Sequence, residues 1–107
     1  MNPVMRCMSQ RLDFISLLRL KRPDFLTTMT PEEEVTMGEH IEYVRNLSAL
    51  GNIAMSGAAV DGSVGIVIYR VDSADEARRL FYNDPAVIAG IGYPELHQFR
   101  IGHLTAS

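Results

Sequence analysis

Two segments, Leu12–Leu20 and Val64–Val71, are apolar on both sides, and this limits what the chain can fold into more than anything else in it. Side chains alternate across a strand. In LDFISLLRL, Phe14 and Leu18 point one way and Ile15 and Leu17 the other; in VGIVIYRV, Ile66 and Ile68 oppose Val67, Tyr69 and Val71. Strands of this kind need cover on two faces. The chain has 107 residues, which suits one domain with a real but small core. It carries only two long helical patterns, enough to cover one face of a sheet. The other face then needs a partner, most simply a second copy packed sheet against sheet.

The helical patterns have clear boundaries. Thr30 is a good N-cap, Pro31 suits the first helical position, and Glu33 completes a Thr-x-x-Glu capping box. Glu32, Glu33 and Glu34 oppose the positive end of the helix dipole, so the acidic run is explained without a catalytic role. This helix is expected to reach Leu50, with Gly51 as its stop. Ser73-Ala74-Asp75-Glu76 reads as a second capping box, opening a helix to about Asn83 that Asp84-Pro85 breaks. Ala86–Ala89 allows one more turn.

Between the helices, Ile53–Val60 reads as a short strand, Asp61-Gly62-Ser63 as a hairpin turn, and Val64–Val71 as its partner. Pro94–Leu104 alternates as a last strand, and Lys21–Thr30 reads as a long loop. The order is β-α-β-β-α-β: an α+β, ferredoxin-like sandwich with a four-stranded antiparallel sheet and its helices on one face. Residues 1–10 show no periodicity and read as a loose leader, with 11–107 as the single domain.

Composition excludes several classes. With 47% hydrophobic and 21% charged residues the chain is not generally disordered. No apolar run approaches the roughly 20 residues of a membrane-spanning helix. Met1–Gln10 lacks the apolar stretch of a secretory signal, so a cytoplasmic protein is the expectation. A lone Cys7 makes neither an internal disulfide nor a structural zinc site. Arg6, Arg11, Arg19, Lys21 and Arg22 face Asp13 alone in the first 22 residues, but the remainder is strongly acidic and the net charge is −3. A nucleic-acid partner is therefore not expected, because such a surface repels phosphate.

Two polar residues stand where apolar ones belong. Met37, Ile41, Val44, Leu47 and Ser48 form one side of the first helix, and His40 lies within that stripe. On the second helix Ala77, Leu80 and Phe81 face inward, and seven residues beyond Ala77 comes Asp84. Each has an ordinary explanation: a core histidine making one hydrogen bond, and an aspartate capping the turn that starts at Pro85. In a two-helix layer, however, both border one groove. A carboxylate bonded to an imidazole fixes its tautomer and favours its cationic form, making a usable acid–base unit. Ser56, before Gly57, is a candidate ligand contact or simply strand filler. His97 and His103 stand six residues apart, roughly 20 Å along a strand, too far for one metal ion. Gly57, Gly62 and Gly65 match no phosphate loop. No metal or cofactor is therefore expected.

The pattern resembles the YciI-like (YCII-related domain) family. The matching residues are His40-Ile41-Glu42-Tyr43-Val44, Leu50-Gly51, Ser56-Gly57-Ala58, Asp61-Gly62-Ser63, Val71-Asp72-Ser73, Glu76-Ala77, Asp84-Pro85-Ala86-Val87, Ala89-Gly90, Glu95 and Phe99-Arg100. The resemblance implies a dimeric α+β barrel, with ferredoxin-like subunits joined through their sheets, and small enzymes with a His–Asp pair in a pocket. A related branch removes halide from a chlorinated hydroxyquinol, and the wider superfamily includes muconolactone isomerases and monooxygenases of aromatic polyketides. The family's histidine falls on His40 and its Asp-Pro aspartate on Asp84. Gly57-Ala58 and Gln98-Phe99 depart from the family's usual Gly-Pro and Pro-Phe.

Two functions follow as expectations. The first is a cofactor-independent enzyme acting on a cyclic or aromatic molecule, with His40 moving a proton in an elimination or isomerisation. The second is a non-catalytic dimeric module that binds a small metabolite, for which His40 is enclosed and dry.

Overall fold

A computed structural model describes residues 11–105. The leader expected over residues 1–10, with Cys7, lies outside the described residues. The strands are β1 (Leu12–Leu20), β2 (Ile53–Ala58), β3 (Val64–Val71) and β4 (Gly92–Phe99), in one antiparallel sheet of order β2-β3-β1-β4. The helices are α1 (Phe25–Thr28), α2 (Pro31–Ala49), α3 (Ala74–Tyr82) and α4 (Pro85–Ile88). This is the ferredoxin-like α+β arrangement expected from the element order, with helices on one face.

The capping box that opens α2 closes in both directions. Glu33 N–H donates to Thr30 Oγ1 at 3.2 Å, and Thr30 N–H donates to Glu33 Oε1 at 2.9 Å. The box expected at α3 is only half formed. Ser73 Oγ accepts from Glu76 N–H, but the Glu76 carboxylate takes the Asp72 N–H instead, one residue earlier. Gly51, at φ 83°, ends α2 as expected.

Strand register explains the clearest departure at the C-terminus. β4 pairs only with β1, from Gly92 opposite Leu20 to Phe99 opposite Asp13. The last strand was expected over Pro94–Leu104. It starts two residues earlier and stops at Phe99, because β1 offers no partner beyond its own first residues. β2 likewise ends at Ala58 instead of Val60.

The segment 21–30, expected as a loop, holds the single turn of α1. Phe25 is buried beneath the Arg22 guanidinium, 5.1 Å from its ring centroid. Thr27 and Thr28 hydroxyls donate to Asp24 C=O at 3.0 and 2.9 Å. A tertiary anchor thus stabilises a turn whose local pattern is too short to announce itself.

On the helix-covered side, cross-strand partners form rows. Phe14 and Tyr69 make a row of large rings, which with Val71, Leu47, Ala77, Leu80 and Phe81 form the core. On the opposite side Ile15, Leu17 and Ile66 stay half-buried, Met55 is exposed, and Asp13 takes a bidentate pair with Arg70 at 2.9 and 3.1 Å. The two-sided apolar character read from the strands is therefore present, and among the described residues no helix lies over the second side.

One glycine joins the hairpin to α1. Gly62 has φ 76°, and a Cβ there would press against the Leu26 side chain. Gly62→Ala is expected to cost about 1–2 kcal/mol, since an L-residue in that backbone region is strained. Gly38, in the middle of α2 with open space around it, is the control. Gly38→Ala is expected to stabilise by roughly 0.5–1 kcal/mol. Urea midpoints at constant slope measure both.

Candidate active site

Towards the hairpin end of the sheet, the helix-side rows lose their bulk. One row is Ala58, Gly65, Leu18 and Pro94; the next is Ser56, Val67, Ser16 and Leu96. Small side chains here leave unfilled space between the sheet and α2. The result is a cavity of about 740 Å³, roofed by Met37, Ile41, Val44 and Ser48 and bordered by Leu26 of α1. The stripe expected around Val44 is accordingly split. Leu47 packs in the core, whereas Ile41 is 53% exposed because it faces the cavity instead of the sheet.

His40 and Asp84 both line this cavity. Asp84 is buried, with 2% of its surface exposed. It N-caps α4, its Oδ1 accepting the Ala86 N–H at 2.9 Å. The same carboxylate lies against His40, whose Nδ1 is 2.9 Å from Oδ1 and 2.8 Å from Oδ2. Capping and pairing with the imidazole are thus one arrangement. A carboxylate only accepts, so Nδ1 donates to it, and in the neutral ring Nε2 presents its lone pair. Among the described residues Nε2 has no hydrogen-bond partner, and it is not among the buried atoms, so it opens into the cavity that His40 lines.

Two phenols stand behind the pair. Tyr43 donates to Leu80 C=O at 2.6 Å, and its pKa is raised by burial and by the Asp84 charge. Tyr69 is fully buried, 6.1 Å from the Phe81 ring, and among the described residues its hydroxyl has no hydrogen-bond partner. Burial, reinforced by the Asp84 charge, pushes its pKa far up, so it stays a neutral phenol.

Ser56 lines the cavity from β2 and is exposed there. Ser16, Ala58 and Gly65 also line it, and sequence reasoning passed over them. Ser16 is buried and donates to Val67 C=O at 3.1 Å. The available signal was parity: residues 16, 56, 58 and 65 are small or polar on the same sheet face as Phe14 and Tyr69. His97 and His103 take no part. His97 Nε2 pairs with Glu95 at 2.9 Å, and His103 Nε2 with Thr105 at 2.8 Å beyond the end of β4.

A ferredoxin-like subunit with an imidazole–carboxylate pair facing an apolar cavity defines a class of small α+β proteins with a ligand-sized pocket. The YCII-related domain pattern matches residues 14–95, most of the chain. The protein belongs to the YCII-related domain family. Among solved structures, it is similar to 5-chloro-2-hydroxyhydroquinone dehydrochlorinase from Burkholderia phenoliruptrix, in complex with 2,5-dihydroxybenzoquinone. The TM-score is 0.62 at 21% identity, covering 83% of this chain and 95% of that one. That likeness establishes the shared fold. No curated protein matches this chain.

The turn α1, whose Leu26 borders the cavity, is tied to the start of α2 by Arg22, which bonds Glu33 at 2.8 and 3.2 Å and Thr28 C=O at 3.1 Å. The guanidinium bond, helped by the Thr30 N–H, holds the Glu33 carboxyl at about 2, below its ordinary 4.5. A depressed carboxyl pKa stabilises the fold above the unfolded value, and that contribution disappears as pH falls through about 2. Arg22→Ala is expected to return Glu33 towards 4.5 and to raise amide exchange in α1. An NMR titration of the Glu33 side chain reads the first effect, and hydrogen exchange the second.

Proposed function

We propose that this protein is a small-molecule enzyme of lyase or isomerase type, in which His40 transfers a proton on a cyclic or aromatic substrate. The observation that carries the reading is the open Nε2 over the cavity, backed by Nδ1 against both oxygens of buried Asp84. Neutral imidazole takes a proton from substrate carbon or oxygen at Nε2. Asp84 holds the ring's orientation and offsets the charge that forms. In an elimination the carbon–hydrogen electron pair forms the new double bond, and the leaving group departs with its own electrons. In an isomerisation Nε2 returns the proton to a different atom of the substrate.

The dehydrochlorinase named above, solved with a quinone, supports a small oxygenated ring as the ligand class. The alternative, a non-catalytic module, is expected to enclose His40 in a dry setting; the cavity beside Nε2 supports the enzyme reading instead. A binder that uses this cavity without turnover is distinguished by the kcat measurements below.

The assembly we propose is a homodimer joined through the open sheet face. Its support is the half-buried Ile15, Leu17 and Ile66 with exposed Met55 and Phe99 on that face, too much apolar surface to leave in water. Light scattering is expected to give twice the 11.9 kDa chain mass, and Ile66→Glu to return the monomer.

With a turned-over substrate in hand, His40→Ala is expected to lower kcat by about 10²–10⁴. Asp84→Asn keeps an N-cap side chain but presents an amide to Nδ1, which favours the wrong tautomer. It is expected to cost a comparable factor in kcat, with a loss of stability small enough to leave the variant folded because the N-cap is kept. Unchanged kcat in both folded variants would reject the assignment.

A further inference from the structure

The size and shape of the cavity carry an inference about what the site accepts, resting on the proposed function above. A dry apolar cavity of about 150 Å³ is enough for a benzene ring. The cavity beside His40 is about 740 Å³, several times what a single ring fills. Its roof on α2 runs from Met37 to Ala49, about 18 Å of helix axis. Its floor crosses β2, β3 and β1, about 10 Å between the outer two strands. Lining elements that span these two directions suit a broad ligand better than a single narrow alkyl chain.

The floor is lowest where small residues fall, beside Leu18 and Val67 on the same face. Gly65 and Ala58 are cross-strand partners on the helix side, and Ser56 follows Ala58 on the same face of β2. A Cβ built at Gly65 meets nothing within 4 Å. The φ there is not in the left-handed region, so neither close packing nor backbone conformation requires a glycine. What the missing side chain leaves is cavity. The polar groups are sparse: His40 and Asp84 with Ser16, Ser48 and Ser56, and Arg45 already paired with Glu42 at 2.9 Å.

We propose that the site takes a planar fused-ring phenol or quinone of two or more rings, and that Gly65 and Ala58 set this size preference. The oxygenated edge lies at His40, and the second ring covers the bare floor over Gly65 and Ala58.

The test is equilibrium binding to the full chain with three probes: 2-hydroxy-1,4-naphthoquinone, 2,5-dihydroxy-1,4-benzoquinone and laurate. The bicyclic probe is expected to bind at least tenfold tighter than the monocyclic one. Gly65→Phe is expected to weaken the bicyclic probe at least tenfold and leave the monocyclic one within threefold. Ala58→Leu, on the edge strand β2, is expected to do the same to a smaller degree, and carries the test if Gly65→Phe does not fold by circular dichroism. Equal binding of the two quinones, equal weakening of both by a folded floor variant, a preference for laurate, or no binding at all overturns the proposal. His40→Ala separates it from the reaction. Size-selective binding with no turnover by wild type or variant across fused-ring substrates would remove the enzyme reading and leave the ligand class standing.

Discussion

The structure depends most on one buried carboxylate. Asp84 has 2% of its surface exposed, and a charge in that position is costly unless its oxygens are satisfied. They are satisfied by the Ala86 N–H at the start of α4 and by His40 Nδ1 from α2. The aspartate therefore joins two elements that touch each other closely, and it sets the direction of the imidazole between them. The same bonds that stabilise the α3–α4 junction leave Nε2 as the free end of the ring. The helix junction and the direction of the imidazole rest on one group.

The helix side of the sheet divides into two halves with different roles. Around Phe14, Tyr69 and Val71 it is filled by large side chains against Leu47, Leu80 and Phe81. Around Ser16, Ser56, Ala58 and Gly65 it is left bare. A core this small has little apolar area to spare, so an empty half is a stability cost. The first half holds α2 and α3 in place, and the second leaves the cavity. The Tyr69 hydroxyl, without a partner among the described residues, belongs to the core and not to the cavity lining.

Most of the fold was legible from periodicity. Phe14, Leu18, Ile15 and Leu17 alternate as their register requires, and the Thr30–Glu33 box closes as written. The departures share a physical cause, because each depends on a distant partner. β4 stops at Phe99 because β1 ends its pairing there. α1 exists because Phe25 finds a buried place under Arg22. Glu76 bonds the Asp72 N–H in place of the Ser73 N–H, a choice between neighbours that no motif distinguishes.

His40 and Asp84 were visible in the sequence as polar residues in apolar stripes, each with an ordinary local explanation. Their 2.8 Å contact spans 44 positions of chain, and only the packing of α2 against α4 brings them together. The cavity was invisible for a related reason. A small residue in a strand reads as filler, as Ser56 did, and becomes a floor only when small residues on three strands fall into adjacent rows beneath one helix. By itself the sequence determined the element order, the apolar faces and which side chains were out of place, because these follow from alternation and helical spacing. The tertiary structure alone decided that two of those side chains meet, and that the space beside them is empty, because contact and volume belong to residues far apart in the chain.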